Sequence, residues 1–221
     1  LLLIGVFFSA NALAQAPKYS NEFLSIGVGA RGLAMSKAQV ASVNDLTSAY
    51  WNPAGLVEIK DNLQGGAQHA EYFAGIAKYD YGAVAINTDR KSGMAFSFLR
   101  FGVDDIPNTT DLIDQNGRVN YDRITSFSAA DYAFLFSYAR QLGPEGLSVG
   151  GNAKVIYRQV GDMANAWGFG LDVGAQYKLN DWRFGVIGRD ITSTFNAWSF
   201  NLDERTIEVF EATNNEIPQN G

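Results

Sequence analysis

Gly27-Val28-Gly29-Ala30-Arg31-Gly32 has the spacing G-x-G-x-x-G, which in a strand-to-helix turn lets backbone amides close around a pyrophosphate. That chemistry needs a βαβ unit and an acid about 20 residues further on. Here the segment leads instead to Trp51-Asn52-Pro53-Ala54-Gly55 and then to long alternating stretches, so the glycines are read as packing residues. Asp114, Asn116 and Gly117 imitate a calcium loop, but the first ligand position falls on Leu112 and the twelfth on Arg123, where a bidentate Glu is required. A solvated turn is expected there, with Asp104, Asp105 and Asp111 offering no more than non-specific calcium binding. One histidine, His69, and no cysteine leave a nucleophile–base pair or a zinc site without its donors. A net charge of −6 with no basic block argues against nucleic acid. The expectation is a non-enzymatic protein with no metal and no cofactor.

The elements that must carry such a protein begin with an apolar run, Leu1 to Phe8, followed by Ala12-Leu13-Ala14. This is the pattern of a secretory signal with a small-x-small cleavage site, so residues 1–14 are expected to be removed. The run falls short of the roughly 20 apolar residues a membrane helix needs, and no later segment approaches that length. Any residence in a membrane must then use strands. A small-residue segment, 15–61, precedes a change of period near Asn62, and 62–221 alternates.

Between Ala166 and Lys178, Trp167, Phe169, Leu171, Val173, Ala175 and Tyr177 share one face, opposite Gly168, Gly170, Asp172, Gly174, Gln176 and Lys178. Strict period-two alternation over this length exceeds an ordinary strand of about 5 to 6 residues and suits a tilted membrane strand of about 9 to 11. The pattern recurs in Leu147 to Tyr157, Tyr132 to Tyr138 and Met94 to Leu99, and more weakly in Tyr81 to Asn87 and Trp182 to Arg189. A soluble β-sandwich would also alternate, but its exposed face would be rich in charge. Here the non-apolar face is mostly Gly, Ala, Ser and Asn, as in a crowded barrel interior, and the aromatic face suits lipid. Lys154, Arg158, Asp172 and Lys178 are expected as paired charges inside, and His69 as a lumen or interface side chain. Tyr157, Trp167, Tyr177, Trp182 and Trp198 fall near strand ends, where an aromatic girdle would lie.

Thr88 to Gly93, Gly143 to Gly146 and Asn180-Asp181 read as tight polar turns. They alternate with longer connections: Asp104 to Asp131, Gly161 to Asn165, and the segment after Asp190. The count from Asn62 is seven or eight strands, and Pro218-Gln219-Asn220-Gly221 resembles the middle of a loop, so about half of a wall is expected. The Asp104 to Asp131 loop carries Ile106, Leu112, Ile113, Tyr121 and Phe127 among polar residues, which makes it the candidate for binding a partner.

From Gly27 to Met35, through Val40 to Asp45 and over Ser48 to Leu56, the chain resembles the PorV/PorQ family of FadL-like outer-membrane barrels from Bacteroidetes-type bacteria. The resemblance implies an all-β fold: a transmembrane antiparallel barrel, of fourteen strands in the family, whose N-terminal segment folds back as a hatch. The hatch motif maps onto Gly29, Arg31, Gly32, Asn44, Asp45, Trp51, Asn52, Pro53, Ala54 and Gly55, with Asn52-Pro53-Ala54 inside or at the periplasmic mouth. Pro53 is expected to break any helix begun near Ala30. Ser36-Lys37 stand where relatives carry small, glycine-like residues. The resemblance further implies a role in type IX secretion. A PorV-type barrel takes secreted cargo by its C-terminal signal domain from the translocon to the surface attachment machinery. The rival from the transport class is FadL-like passage of hydrophobic molecules such as fatty acids. Outer-membrane lipid is the expected surround.

Overall fold

The computed structural model describes residues 21–113, 117–143, 146–192 and 195–218. The expected signal segment and the calcium-like Asp114 and Asn116 lie outside them. After a 3-10 turn at Glu22–Ser25 come two short helices, α1 (Ala30–Ala34) and α2 (Ser48–Trp51), and a second 3-10 segment, Pro53–Glu58. Eight strands follow: β1 (Leu63–Tyr72), β2 (Ala77–Asp89), β3 (Ser92–Asn108), β4 (Thr125–Gln141), β5 (Leu147–Val160), β6 (Ala164–Leu179), β7 (Trp182–Gly188) and β8 (Phe195–Phe200). Helix α3 (Glu204–Ala212) ends the described elements; nothing in the residue pattern had suggested it.

Every pairing is antiparallel between sequence neighbours from β1 to β7, and β8 pairs with β6. The result is an all-β sheet curled into a half-barrel. No described helix is long and apolar enough to cross a membrane, which leaves strands as a separate matter. β7 takes the second half of β6 (Val173↔Gly188 to Leu179↔Trp182) and β8 the first half (Ala164↔Phe200 to Phe169↔Phe195). The two are therefore one edge strand interrupted between Gly188 and Phe195.

Residues 21–61 lie against the inner face. Phe23, Val28, Val43, Tyr50 and Trp51 form a core with Tyr79, Tyr81, Leu99, Leu135 and Ile156 of the wall, and Leu56 and Ile59 pack on Ala85, Ala95 and Ala139. The outer face carries Val84, Ile86, Met94, Phe96, Phe136, Tyr138, Trp167, Phe169, Leu171, Val173, Trp182, Phe184 and Val186, all exposed.

The structure changes several expectations. β3 runs to Asn108 and β4 starts at Thr125, so the long connection is 109–124 and not Asp104 to Asp131. A β-bulge between Val103 and Ile106, with Asp105 at φ 57°, lets the pairing continue past the acidic pair. The expected longer link at Gly161 to Asn165 is a tight turn, because β5 reaches Val160 and β6 begins at Ala164, with Gly161 at φ 51°. The helix begun at Ala30 ends at Ala34, well before Pro53. It is stopped by Ser36 (φ 51°) and Lys37 (φ 70°) in the left-handed region, the conformation glycine accepts most readily. Pro53 instead opens the 3-10 segment.

Candidate functional site

An irregular segment inside a sheet must find partners for its backbone groups, and here the wall supplies many of them. Asn52 donates through Nδ2 to the carbonyls of Val40 (2.8 Å), Ala175 (3.1 Å) and Val186 (3.3 Å), and its Oδ1 accepts from the Ala54 amide at 3.2 Å. One side chain thus ties hatch to hatch and hatch to β6 and β7. Gln176 donates to Val40 and Val43 carbonyls (3.0 and 3.2 Å), Asn152 to Ala49 (2.7 Å) and Asn87 to Ile59 (2.8 Å). The Gly29 amide donates to Gln68 Oε1 at 2.6 Å.

Close approach is possible because the wall is glycine where the hatch backbone lies. A Cβ on Gly150 would sit 2.6 Å from the Pro53 carbonyl carbon, on Gly174 2.1 Å from Asn52 Oδ1, and on Gly185 2.5 Å from the Val40 oxygen. Gly150, Gly174 and Gly185 thus form a trough along β5, β6 and β7. Within the hatch, Gly32 faces the Trp51 ring (2.7 Å to a Cβ) and Gly55 faces the Val43 oxygen (2.3 Å). Trp51 Nε1 donates to the Val28 carbonyl at 3.0 Å. The Gly27 to Gly32 run is therefore a packing surface for one indole, and the antiparallel sheet around it provides no βαβ unit for a dinucleotide.

The remaining motif residues have local duties. Asp45 accepts from the amide and hydroxyl of Thr47 (2.8 and 2.6 Å), turning the chain into α2. Arg31 reaches Asn44 at only 3.5 Å and is exposed. Asn52, Pro53, Ala54 and Gly55 are buried.

Charges cluster on the inner face beside the trough. Lys154, with 3% of its side chain exposed, lies 2.8 Å from Asp172 and 2.6 Å from Asp190. Asp172 also accepts from the Asp190 amide at 2.9 Å. Arg189 donates to the Tyr50 carbonyl at 3.2 Å and lies over the Tyr50 and Trp51 rings, a cation–π arrangement. Burial pushes the Tyr50 phenol above its ordinary range, with Arg189 acting the other way; its hydroxyl donates to the Leu24 carbonyl. Arg158 forms a two-pronged pair with Asp131 at 2.7 and 2.8 Å. Lys154, Asp172 and Arg158 are thus inside and paired as expected, whereas Lys178 is exposed at the end of β6. The interruption of the edge strand turns Arg189 inward onto the hatch and Asp190 onto Lys154, pairings the alternation pattern could not show.

Of the two positions expected for His69, lumen or interface, the structure excludes the lumen. It stands opposite Asp80 in the β1–β2 ladder, on the outer face with Arg100, and its Nδ1 is 2.6 Å from Asp80. Outer-face rows follow the register: Asp80↔Arg100↔Tyr132↔Tyr157↔Trp167. The Tyr132 and Tyr157 rings stack at 6.1 Å between centroids, and Tyr157 and Trp167 lie tilted to each other at 4.7 Å. Tyr177 and Trp182 mark the other end of the band, but Trp198 pairs with Ala166 and takes Arg158 over its ring on the inner face. From Trp167 to Tyr177 the apolar face of β6 runs about 33 Å along the strand at about 3.3 Å per residue.

Of the candidate partner-binding residues, Ile113 and Tyr121 are exposed on the 109–124 connection (51% and 74%), beside Val119 and Ile124. Leu112 is half-buried, while Ile106 and Phe127 face each other across β3 and β4 and are also half-buried. Ile113 bridges Val119, and Arg205 of α3 donates to the Ile113 carbonyl at 3.0 Å. Asp111 lies 3.5 Å from Arg205, and Asp104 is engaged by Lys78 at 2.9 Å; no cluster of metal-binding side chains occurs among the described residues. No family model matches the chain, and a search of the curated proteins finds no significant match.

Proposed function

We propose that this chain forms wall and hatch of an outer-membrane β-barrel of the PorV type. In this reading it acts without catalysis, holding secreted proteins by their C-terminal signal domain between the type IX translocon and the surface attachment machinery. The observation that carries the membrane part is the sheet's distribution of side chains: one face presents a broad set of aromatic and aliphatic side chains to the surroundings, while Asn152, Lys154, Asp172 and Gln176 are buried on the other. A water-soluble sheet reverses that order, whereas a barrel in lipid requires it. The cargo part is supported by the PorV/PorQ resemblance and by the 109–124 connection, whose Ile113, Val119, Tyr121 and Ile124 are exposed on one side of the molecule.

A FadL-like conduit for hydrophobic molecules is the second reading, favoured by the break in the edge strand between Gly188 and Phe195. Against it, the surface around the hatch on β5 and β6 is lined by Asn152, Lys154, Asp172 and Gln176, groups that suit polar clamping and not the passage of acyl chains. Affinity purification of the full-length protein from its own outer membrane separates the two. Recovery of cargo signal domains or translocon subunits, lost on Tyr121→Ser with Ile113→Ser, is the expected outcome. Absence of such partners together with impaired fatty-acid uptake in a deletion strain refutes the cargo role in favour of the conduit.

A further inference from the structure

Just beyond the Tyr132–Tyr157–Trp167 row, at the end of the sheet that carries the 109–124 connection, a cavity of about 340 Å³ opens between β3, β4 and the β5–β6 turn. Arg100, Ser126, Ser128, Tyr132, Gln159 and Asp162 line it. Register places Ser126, Ser128, Tyr132 and Gln159 on the outer face, in line with Phe134 and Phe136. The cavity is thus polar, lies outside the barrel wall, and borders an apolar face on its lower side. That is the position of a lipid headgroup whose chains run down Phe98, Phe134 and Phe136.

The charges in and around it indicate which headgroup. Each neighbouring acid already has a closer partner: Asp80 has His69 at 2.6 Å and Asp104 has Lys78 at 2.9 Å. Arg100 is hydrogen-bonded to Tyr132 and meets both acids only at 3.5 Å, so its ion pairs are the longest in this network. It lies flat over Gly102, where a Cβ would come within 2.7 Å of Nη2; the glycine permits the side chain to lie along the strand. A planar guanidinium beside hydroxyls suits a phosphate oxygen pair. Asp162, Gln159 and the two serines add acceptors and donors of the kind sugar hydroxyls use, and a simple anion would gain nothing from Asp162.

We propose that this cavity binds the phosphorylated sugar headgroup of a membrane glycolipid of the lipopolysaccharide class, with phosphate on Arg100 and sugar hydroxyls on Ser126, Ser128, Gln159 and Asp162. The proposal rests on the membrane reading given above, with the connection-bearing end facing the exterior, where such glycolipids form the leaflet.

The test uses full-length protein folded in detergent, delipidated, and offered lipid A, dephosphorylated lipid A or phosphatidylglycerol, with bound lipid counted by native mass spectrometry. Wild type is expected to retain lipid A, and Arg100→Gln to retain it about tenfold less, the scale of one lost charge-assisted hydrogen bond. Asp162→Asn should weaken lipid A while leaving the small signal from phosphatidylglycerol unchanged. Arg140→Gln, at the opposite end of β4 and outside the cavity, should match wild type. Heat-modified migration on gels confirms that each variant is folded, and Asp162→Asn decides the case if Arg100→Gln does not fold. Equal retention by wild type and the cavity variants, equal retention of phosphatidylglycerol, or no retention by wild type overturns the proposal. Failure of the chain to fractionate with the outer membrane would instead defeat the reading beneath it, and is scored separately.

Discussion

Gly150→Ala tests whether the glycine trough is what seats the hatch. The new Cβ would lie 2.6 Å from the Pro53 carbonyl carbon, 2.7 Å from the Ala54 nitrogen and 2.9 Å from the Pro53 oxygen. These are backbone atoms, so no side-chain rotation relieves the clash, and the Pro53–Glu58 segment would have to lift by several tenths of an ångström. That movement stretches the bonds from Asn152 to Ala49 and from Asn52 to Ala175, now 2.7 and 3.1 Å. Overpacking of this kind costs about 1–3 kcal/mol, which corresponds to a roughly 5- to 150-fold rise in the population with the hatch undocked. Hydrogen exchange of residues 48–59 in the folded protein reads that population directly. Gly82→Ala is the control, since a Cβ there meets nothing within 4 Å. Unchanged exchange in Gly150→Ala, or equal acceleration in Gly82→Ala, refutes the claim that close backbone approach positions the hatch.

Lys154→Met leaves Asp172 and Asp190 facing each other without their cation and should destabilise the folded state by about 3–5 kcal/mol in urea titration; the double variant with Asp172→Leu should recover part of that loss. Phe169→Arg, at an outer-face position 61% exposed, should cost about 2–4 kcal/mol for folding into vesicles if the band lies in lipid, whereas a surface substitution in a water-soluble sheet would stay within about 0.5 kcal/mol. Thr206, whose hydroxyl and amide face the Asp203 carboxylate, holds that carboxyl below its usual range. The N-cap therefore supports α3 above the ordinary carboxylate pKa and its support fades as pH falls through the lowered value; the protection of residues 204–212 relative to unstructured amides should fall on acidification, and Asp203→Asn should flatten the profile.

Period-two alternation made the wall legible, since side-chain direction in a strand depends on parity alone. β5 and β6 begin and end close to where the pattern does, and Asn62 marks the true start of the sheet. The ends of β3 and β4 were hidden because Asp104 and Asp105 look like loop residues, and only cross-strand register reveals a bulge that absorbs them. Lys154 and Asp172 could be assigned to the inner face from parity. Asp190 could not, because it belongs to a break in a strand and reaches its partners through the third dimension. The glycines at 150, 174 and 185 were visible as small residues, but the atoms that require them, at Val40 and Asn52 to Ala54, lie more than 90 positions away in the chain. Trp198 shows the converse error: an aromatic near a strand end is a girdle residue only if parity points it outward.

The hatch bonds also impose an order on assembly. Asn52 donates to carbonyls 123 and 134 positions later, and the Ala49 carbonyl waits for Asn152, 103 positions on. Along the chain the hatch comes first, and β5, β6 and β7 come near the end of the described residues. Contacts of such sequence separation form late and slowly, so Trp51, Leu56 and Val28 must travel without their burial until the sheet curls around them. The wall, in turn, cannot curl first around an empty interior without leaving Asn152 and Gln176 without the hatch carbonyls of Ala49, Val40 and Val43. Closing the sheet and seating the hatch therefore depend on each other, and a mutation in either should appear as a defect in the rate of folding of both.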